Sequence, residues 1–131
     1  MTNDEIRTFI DNAIKENKVM LFMKGTPEQP ACGFSMRASG ALNELGVQYA
    51  ALDILPDPRI RQELSELSGW PTIPQLFVNG ELVGGSDIVL EMYESGELAA
   101  LLGVAQPDDV QVPKPDVQQS QAPIGLENRL N

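Results

Sequence analysis

"QLFVNGELVGG", residues 75–85, is the stretch on which the fold turns. Two short apolar runs flank Asn79-Gly80, the dipeptide that best tolerates the two positive φ angles of a type I′ turn. The segment therefore reads as a β-hairpin, two antiparallel strands joined by a tight turn. Upstream, "VMLFM" (19–23) is a continuous apolar run of strand length, as expected of a strand buried on both faces. "VQYAALDI" (47–54) reads as another strand.

Helical patterns fill the intervals. Thr2 and Glu5 have capping-box spacing, and Ile6, Phe9, Ile10, Ala13 and Ile14 recur at helical spacing after them. Phe34, Ala38, Ala41, Leu42 and Leu45 form a second apolar stripe, stopped by Gly46. Asp57 reads as the cap of a third helix with Pro58 in its first position, Ile60, Leu64 and Leu67 inward, and Gly69 at its end. Ser86 reads as the cap of a last helix with Ile88, Val89, Met92 and Tyr93 inward. After Gly96, Leu98, Leu101 and Leu102 extend a shorter apolar face to Gly103. The order α-β-α-β-α-β-β-α predicts an α/β domain. Helical crossovers favour parallel pairing of the first two strands, and the tight turn makes the last two antiparallel.

A chain of 131 residues is long enough for one domain with a real core and too short for two. The apolar fraction, 42%, is slightly low for a compact domain and fits a chain that is only partly packed. From Val104 the composition changes: residues 104–131 hold four of the ten prolines, five glutamines and no aromatic residue. The expected division is a folded domain over 1–103 and a disordered tail over 104–131. Nineteen acidic against nine basic residues give a net charge of −10, which argues against nonspecific nucleic-acid or anionic-membrane binding. No apolar stretch approaches the roughly 18–20 residues of a membrane span. "MTNDEIRTFI" has no basic region leading into an apolar run, so no signal peptide is expected there. With one thiol in the chain, the expected compartment is a reducing cytoplasm. There is no histidine, which removes imidazole acid–base chemistry and His-metal sites.

"PACGFSM" (30–36) holds the single cysteine, Cys32, followed three positions later by Ser35. Neither an intrachain disulfide nor a Cys-x-x-Cys redox couple can form. Cys32 is an inert buried side chain, a nucleophile that needs an outside thiol, or one of several ligands supplied by different molecules. Its place between an irregular Pro-containing loop and a helix start favours chemistry, because free N–H groups and the helix dipole stabilise a thiolate there. Lys24 could add a nearby positive charge.

"CGFS" (32–35), "MKG" (23–25) and "WPTIPQLFVNGELVGGSD" (70–87) together resemble the CGFS-type monothiol glutaredoxins, from about residue 5 to residue 103. The resemblance implies a thioredoxin-like fold, a central four-stranded mixed sheet flanked by helices. It also implies a glutathione site. Thr72 and Ile73 would face the tripeptide backbone, with Pro74 cis. Lys24 and Arg61 would bind the glycyl carboxylate, with Arg59 a neighbour that could share the task. Ser86 and Asp87, at the start of the last helix, would receive the γ-glutamyl end. Cys32 would be the reactive thiol and, with glutathione, a ligand of a [2Fe-2S] cluster bridging a homodimer. That makes a glutathione-dependent cluster carrier the leading function, with iron–sulfur acceptor proteins and BolA-type proteins as further partners. The alternative is an enzyme, a weak monothiol oxidoreductase that reduces protein–glutathione mixed disulfides. An adaptor without thiol chemistry is a third class; only it would survive loss of Cys32. Trp70 reads as a packing residue.

Overall fold

The N-terminal capping box forms: Glu5 N donates to Thr2 Oγ1 at 3.1 Å and Thr2 N donates to Glu5 Oε1 at 2.6 Å. These two bonds satisfy donors that a helix start leaves free and open α1 (Asn3–Glu16). The computed structural model describes residues 1–107. After α1 come β1 (Val19–Met23), α2 (Gly33–Leu45), β2 (Ala50–Asp53) and α3 (Pro58–Ser68). The chain continues through β3 (Gln75–Val78), β4 (Glu81–Gly84), α4 (Ser86–Ser95) and α5 (Glu97–Leu102).

The strands form one mixed sheet in the order β2-β1-β3-β4. β1 and β2 run parallel, with Met20 opposite Ala50, while β3 runs antiparallel to β1 and to β4. Asn79 and Gly80, at φ 54° and 84°, make the expected hairpin turn. One apolar cluster fills each face of the sheet. Leu21, Met23, Leu76, Val78 and residues of α2, α4 and α5 form one. Met20, Phe22, Phe77 and residues of α1 and α3 form the other, with the Phe22 and Phe77 rings edge-to-face at 5.7 Å. All five residues of β1 are buried, as a central strand covered on both faces requires. Among the described residues no helix is long and apolar enough to cross a membrane.

Several sequence expectations need correction. The second strand spans 50–53 rather than 47–54: its parallel ladder runs only from Ala50 opposite Met20 to Asp53 opposite Met23. Val47 and Tyr49 instead lean against the core beside α2. Phe9, Phe34 and Leu101 sit at helical spacing with core residues, yet all three are exposed. An apolar stripe wider than the contact face leaves its edge in water. Ser86 is the first residue of α4 and Gly85 its cap, so no side chain caps that helix. Of the expected tail, Val104 packs against the core and Gln106 Nε2 donates to Tyr93 O at 3.2 Å. The rest of that tail, from Asp108, lies outside the described residues.

α3 is tied to α1 by charge as well as by packing. Arg7 Nε donates to Glu63 Oε1 at 2.9 Å, and Arg7 Nη2 to Glu66 Oε1 at 2.6 Å. Glu63 is buried, so Arg7 supplies the partner that a carboxylate out of water requires. This fixes the helix that carries Arg61.

Candidate functional site

The parallel strands β1 and β2 end at the same edge of the sheet. β3 starts there and β4 finishes there, so the loops after β1, before β3 and after β4 converge. Between them lies a cleft of about 370 Å³. Lys24, Arg61, Thr72, Ile73, Ser86 and Asp87 all line it, so the six predicted binding residues come together although 63 positions separate the first from the last. Cys32 is not in the wall itself. It stands beside it, at the cap of α2, and Phe34 of the same turn reaches the cleft.

Cys32 is half-buried, and its Sγ accepts from Ser35 N at 3.4 Å. Ser35 Oγ lies 3.4 Å from the same sulfur and also accepts Lys24 N–H at 3.0 Å. Partial burial pushes the thiol pKa up. The Ser35 hydroxyl, the N–H groups of Ser35 and Phe34, and the Lys24 charge together outweigh it, so the pKa falls below its ordinary value. Ser35 is therefore more than a missing second thiol. Fully buried and already accepting from Lys24, it has its own O–H available for the sulfur.

A pH test follows. In Ser35→Ala the thiol should ionise at higher pH, so alkylation of Cys32 by iodoacetamide should slow several-fold near neutral pH. The two proteins should converge once the pH exceeds both ionisations, because thiolate alone is the nucleophile. Equal rates across the pH range would remove Ser35 from the site.

The walls have their own supports. Asp53 Oδ1 accepts from Gly25 N at 2.9 Å and from Leu55 N at 3.0 Å, tying the loop after β1 to the end of β2. Ile73-Pro74 is cis, as expected. A side chain on Gly85 would come within 3.3 Å of Trp70 Nε1 and 3.4 Å of Pro74 O, so the indole lies directly on the start of α4. Trp70, Phe34, Pro74, Gly85 and Ile88 complete the lining. Sequence reasoning treated Trp70 as packing and Phe34 as core. The signal was there in Phe34, since the first turn of α2 must face the same end of the sheet as its capping cysteine. Arg37 holds that exposed ring in place, its guanidinium 4.8 Å from the centroid. Arg59 does not join the cleft residues: its guanidinium is held by both Asp57 oxygens and Met1 O. Among the described residues Arg61 has only a long 3.4 Å bond to Pro71 O.

Residues 19–83 match the glutaredoxin family model. The chain is also 55% identical over 102 residues to a Rickettsia typhi protein named probable monothiol glutaredoxin 2, covering 78% of this chain and 91% of the relative. The chain belongs to the monothiol glutaredoxins. Solved glutaredoxins share the fold. The solution structure of a monomeric truncated mutant of Trypanosoma brucei 1-C-Grx1 superposes with a TM-score of 0.69 at 45% identity, covering 78% of this chain and 96% of that one. A buckwheat glutaredoxin crystallised as a glutathione complex matches with a TM-score of 0.68, covering 77% of this chain and 90% of that one, and at 23% identity it speaks to the fold alone. The thioredoxin-like architecture of the monothiol glutaredoxins thus accounts for the convergence of loops at one edge of the sheet.

Proposed function

We propose that this glutaredoxin binds glutathione in the 370 Å³ cleft and uses it to carry a [2Fe-2S] cluster between two copies of the chain. The observation that carries the reading is the pairing of one activated thiol with a cleft of suitable charge and no second cysteine beside it. Lys24 and Arg61 offer cations for the glycyl carboxylate. The peptide groups around Thr72 and Ile73 offer backbone pairing for the cysteinyl residue. The first N–H groups of α4, beside Ser86 and Asp87, have no intrahelical acceptors and suit the γ-glutamyl carboxylate, with the Asp87 carboxylate for its ammonium.

The donor set fits such a cargo only when it is shared. Among the described residues no three Cys, His, Asp or Glu side chains come together, so one chain offers Cys32 alone. Clusters of this kind usually take four ligands. Two chains supply two thiolates, and two glutathiones the other two. A partner of the BolA type could replace one copy. The carrier reading is tested by anaerobic reconstitution with iron, sulfide and glutathione. The expected product is one [2Fe-2S] cluster per two chains and two glutathiones. A cluster that forms without added thiol, or on a monomer, overturns it.

The same site supports one other activity. The Cys32 thiolate can attack the glutathionyl sulfur of a mixed disulfide, releasing the substrate's thiolate and leaving Cys32 joined to glutathione. A second glutathione thiolate then attacks that bond, freeing Cys32 and forming glutathione disulfide. Rapid turnover of glutathionylated substrate by a protein that never takes up iron would favour this reading.

Charge reversal separates ligand binding from folding. Arg61 is exposed, so Arg61→Glu should change stability by less than about 0.5 kcal/mol. Placing a carboxylate against the glycyl carboxylate should weaken glutathione binding by about tenfold or more, measured by calorimetry on the apo protein. Unchanged affinity would leave Lys24 as the only cation in the assignment.

A further inference from the structure

Gln75 opens β3 and is completely buried, in a strand whose other residues are Leu, Phe and Val. Its Nε2 donates to Trp70 O at 2.9 Å and to Thr72 O at 3.1 Å. Both partners are carbonyls that can only accept, which fixes which end of the amide is the nitrogen. The other end, Oε1, is buried and has no hydrogen-bond partner among the described residues. A buried acceptor left unpaired costs stability, and an apolar side chain of the same shape would avoid that cost. Gln75 is thus a poor choice for the core alone. Both of its donors go to one place, the loop that forms the middle wall of the cleft.

We propose that Gln75 is the positioning residue of the ligand cleft. By holding the Trp70 and Thr72 carbonyls inward, it fixes the peptide planes between which Thr72 and Ile73 meet a ligand. The same clamp keeps the Trp70 indole against Gly85, at the start of α4, so one amide sets two of the converging walls. The loop cannot turn these carbonyls into the cleft without breaking both bonds. Ile73 and Pro74 at the end of this loop are buried, but Pro71 and Thr72 are exposed. The other bonds described for residues 70–72 are Trp70 N donating to Ser68 Oγ at 3.1 Å and Pro71 O accepting from Arg61 Nη2 at 3.4 Å. Freed of Gln75, the exposed part of the loop would hydrogen-bond water instead. The fold would lose little, and the ligand would lose a preformed surface.

The inference rests on the glutathione reading for its ligand, and its test is built to keep the two apart. Gln75→Met keeps length and volume, removes both donors and also removes the unpaired oxygen. The variant should melt at or above the wild-type temperature, yet bind glutathione about tenfold or more weakly. Trp70 is the only tryptophan in the chain, so its fluorescence reports the loop without any ligand. Acrylamide should quench it more readily in Gln75→Met, and likewise in Gln75→Leu. A folded variant with wild-type quenching and wild-type affinity overturns the proposal, as does loss of folding in both variants, which would make Gln75 a core residue. Should the wild-type chain bind no glutathione, the ligand assignment fails. The quenching comparison then decides the role of Gln75 on its own.

Discussion

Replacing Cys32 with serine is expected to abolish cluster uptake while leaving the fold intact. Both halves follow from where the residue sits. Cys32 is the N-cap of α2, and its sulfur accepts from Ser35 N. Serine is among the best N-cap residues, so the helix start should be held at least as well by Oγ as by Sγ. Thermal stability should therefore stay close to wild type. The hydroxyl is a much poorer ligand for iron than a thiolate, and no other Cys or His exists in the chain to replace it. Anaerobic reconstitution of Cys32→Ser with glutathione should give no visible absorption from a [2Fe-2S] centre and no bound iron above background. Reduction of glutathionylated substrate should vanish in the same protein. An iron-loaded Cys32→Ser protein would show that the ligands come from elsewhere, and the carrier reading would fall with it.

Gly25→Ala should produce the largest loss of stability of any single methyl addition near the site. Gly25 adopts φ +85°, and a methyl group there would lie 2.5 Å from Gln29 O and 2.6 Å from Ala31 N. Both are backbone atoms of the loop that leads into Cys32, so no side-chain rotation relieves the clash. The loop folds back on Gly25 through Ala31 N donating to Lys24 O at 2.9 Å, and Gly25 N is itself held by Asp53. Adding positive-φ strain to a backbone collision should cost about 2–4 kcal/mol, a fall of more than about 10 °C in Tm for a domain of this size. Gly46→Ala is the matched control: φ is +70°, but nothing lies within 4 Å. It should cost only the conformational strain, about 1 kcal/mol. Gly25→Ala should also slow alkylation of Cys32, since displacing residues 29–31 moves the sulfur away from Ser35. Equal melting temperatures for the two variants would show that the loop does not need the close approach.

Local chemistry explains why so much of the fold was legible from residues alone. Thr2 with Glu5, Asp57 with Pro58, and Asn79 with Gly80 each satisfy a backbone requirement within a few positions, and each formed as written. Strand β1 is apolar at every position because both its faces are covered, so its sequence also announced its place in the sheet centre. Where a single face decides, the sequence was less informative. Phe9, Phe34 and Leu101 share the spacing of core residues and are exposed all the same. The start of β2 could not be read either, since it depends on where its pairing with β1 begins.

The binding residues divide along the same line. The resemblance of "CGFS" and "WPTIPQLFVNGELVGGSD" to monothiol glutaredoxins named Lys24, Arg61, Thr72, Ile73, Ser86 and Asp87, and the fold gathers all six around one cleft. Arg59, two residues before Arg61 on the same helix, was expected as a neighbour that could share its task. The folded chain removes Arg59 from that task, because Asp57 and Met1 hold it while Arg61 lines the cleft. The sequence alone determined the order of the first eight elements and the single thiol, since those depend on neighbours within one or two turns. Beyond that order α5 stands as a separate helix, set off from α4 at Gly96. Tertiary structure alone decided that Lys24 N–H donates to Ser35 Oγ, that Trp70 lies on Gly85 and that Lys24, Arg61, Thr72 and Asp87 meet around one cleft. Those contacts join segments whose approach is set by packing across the sheet, and no short-range pattern carries that distance.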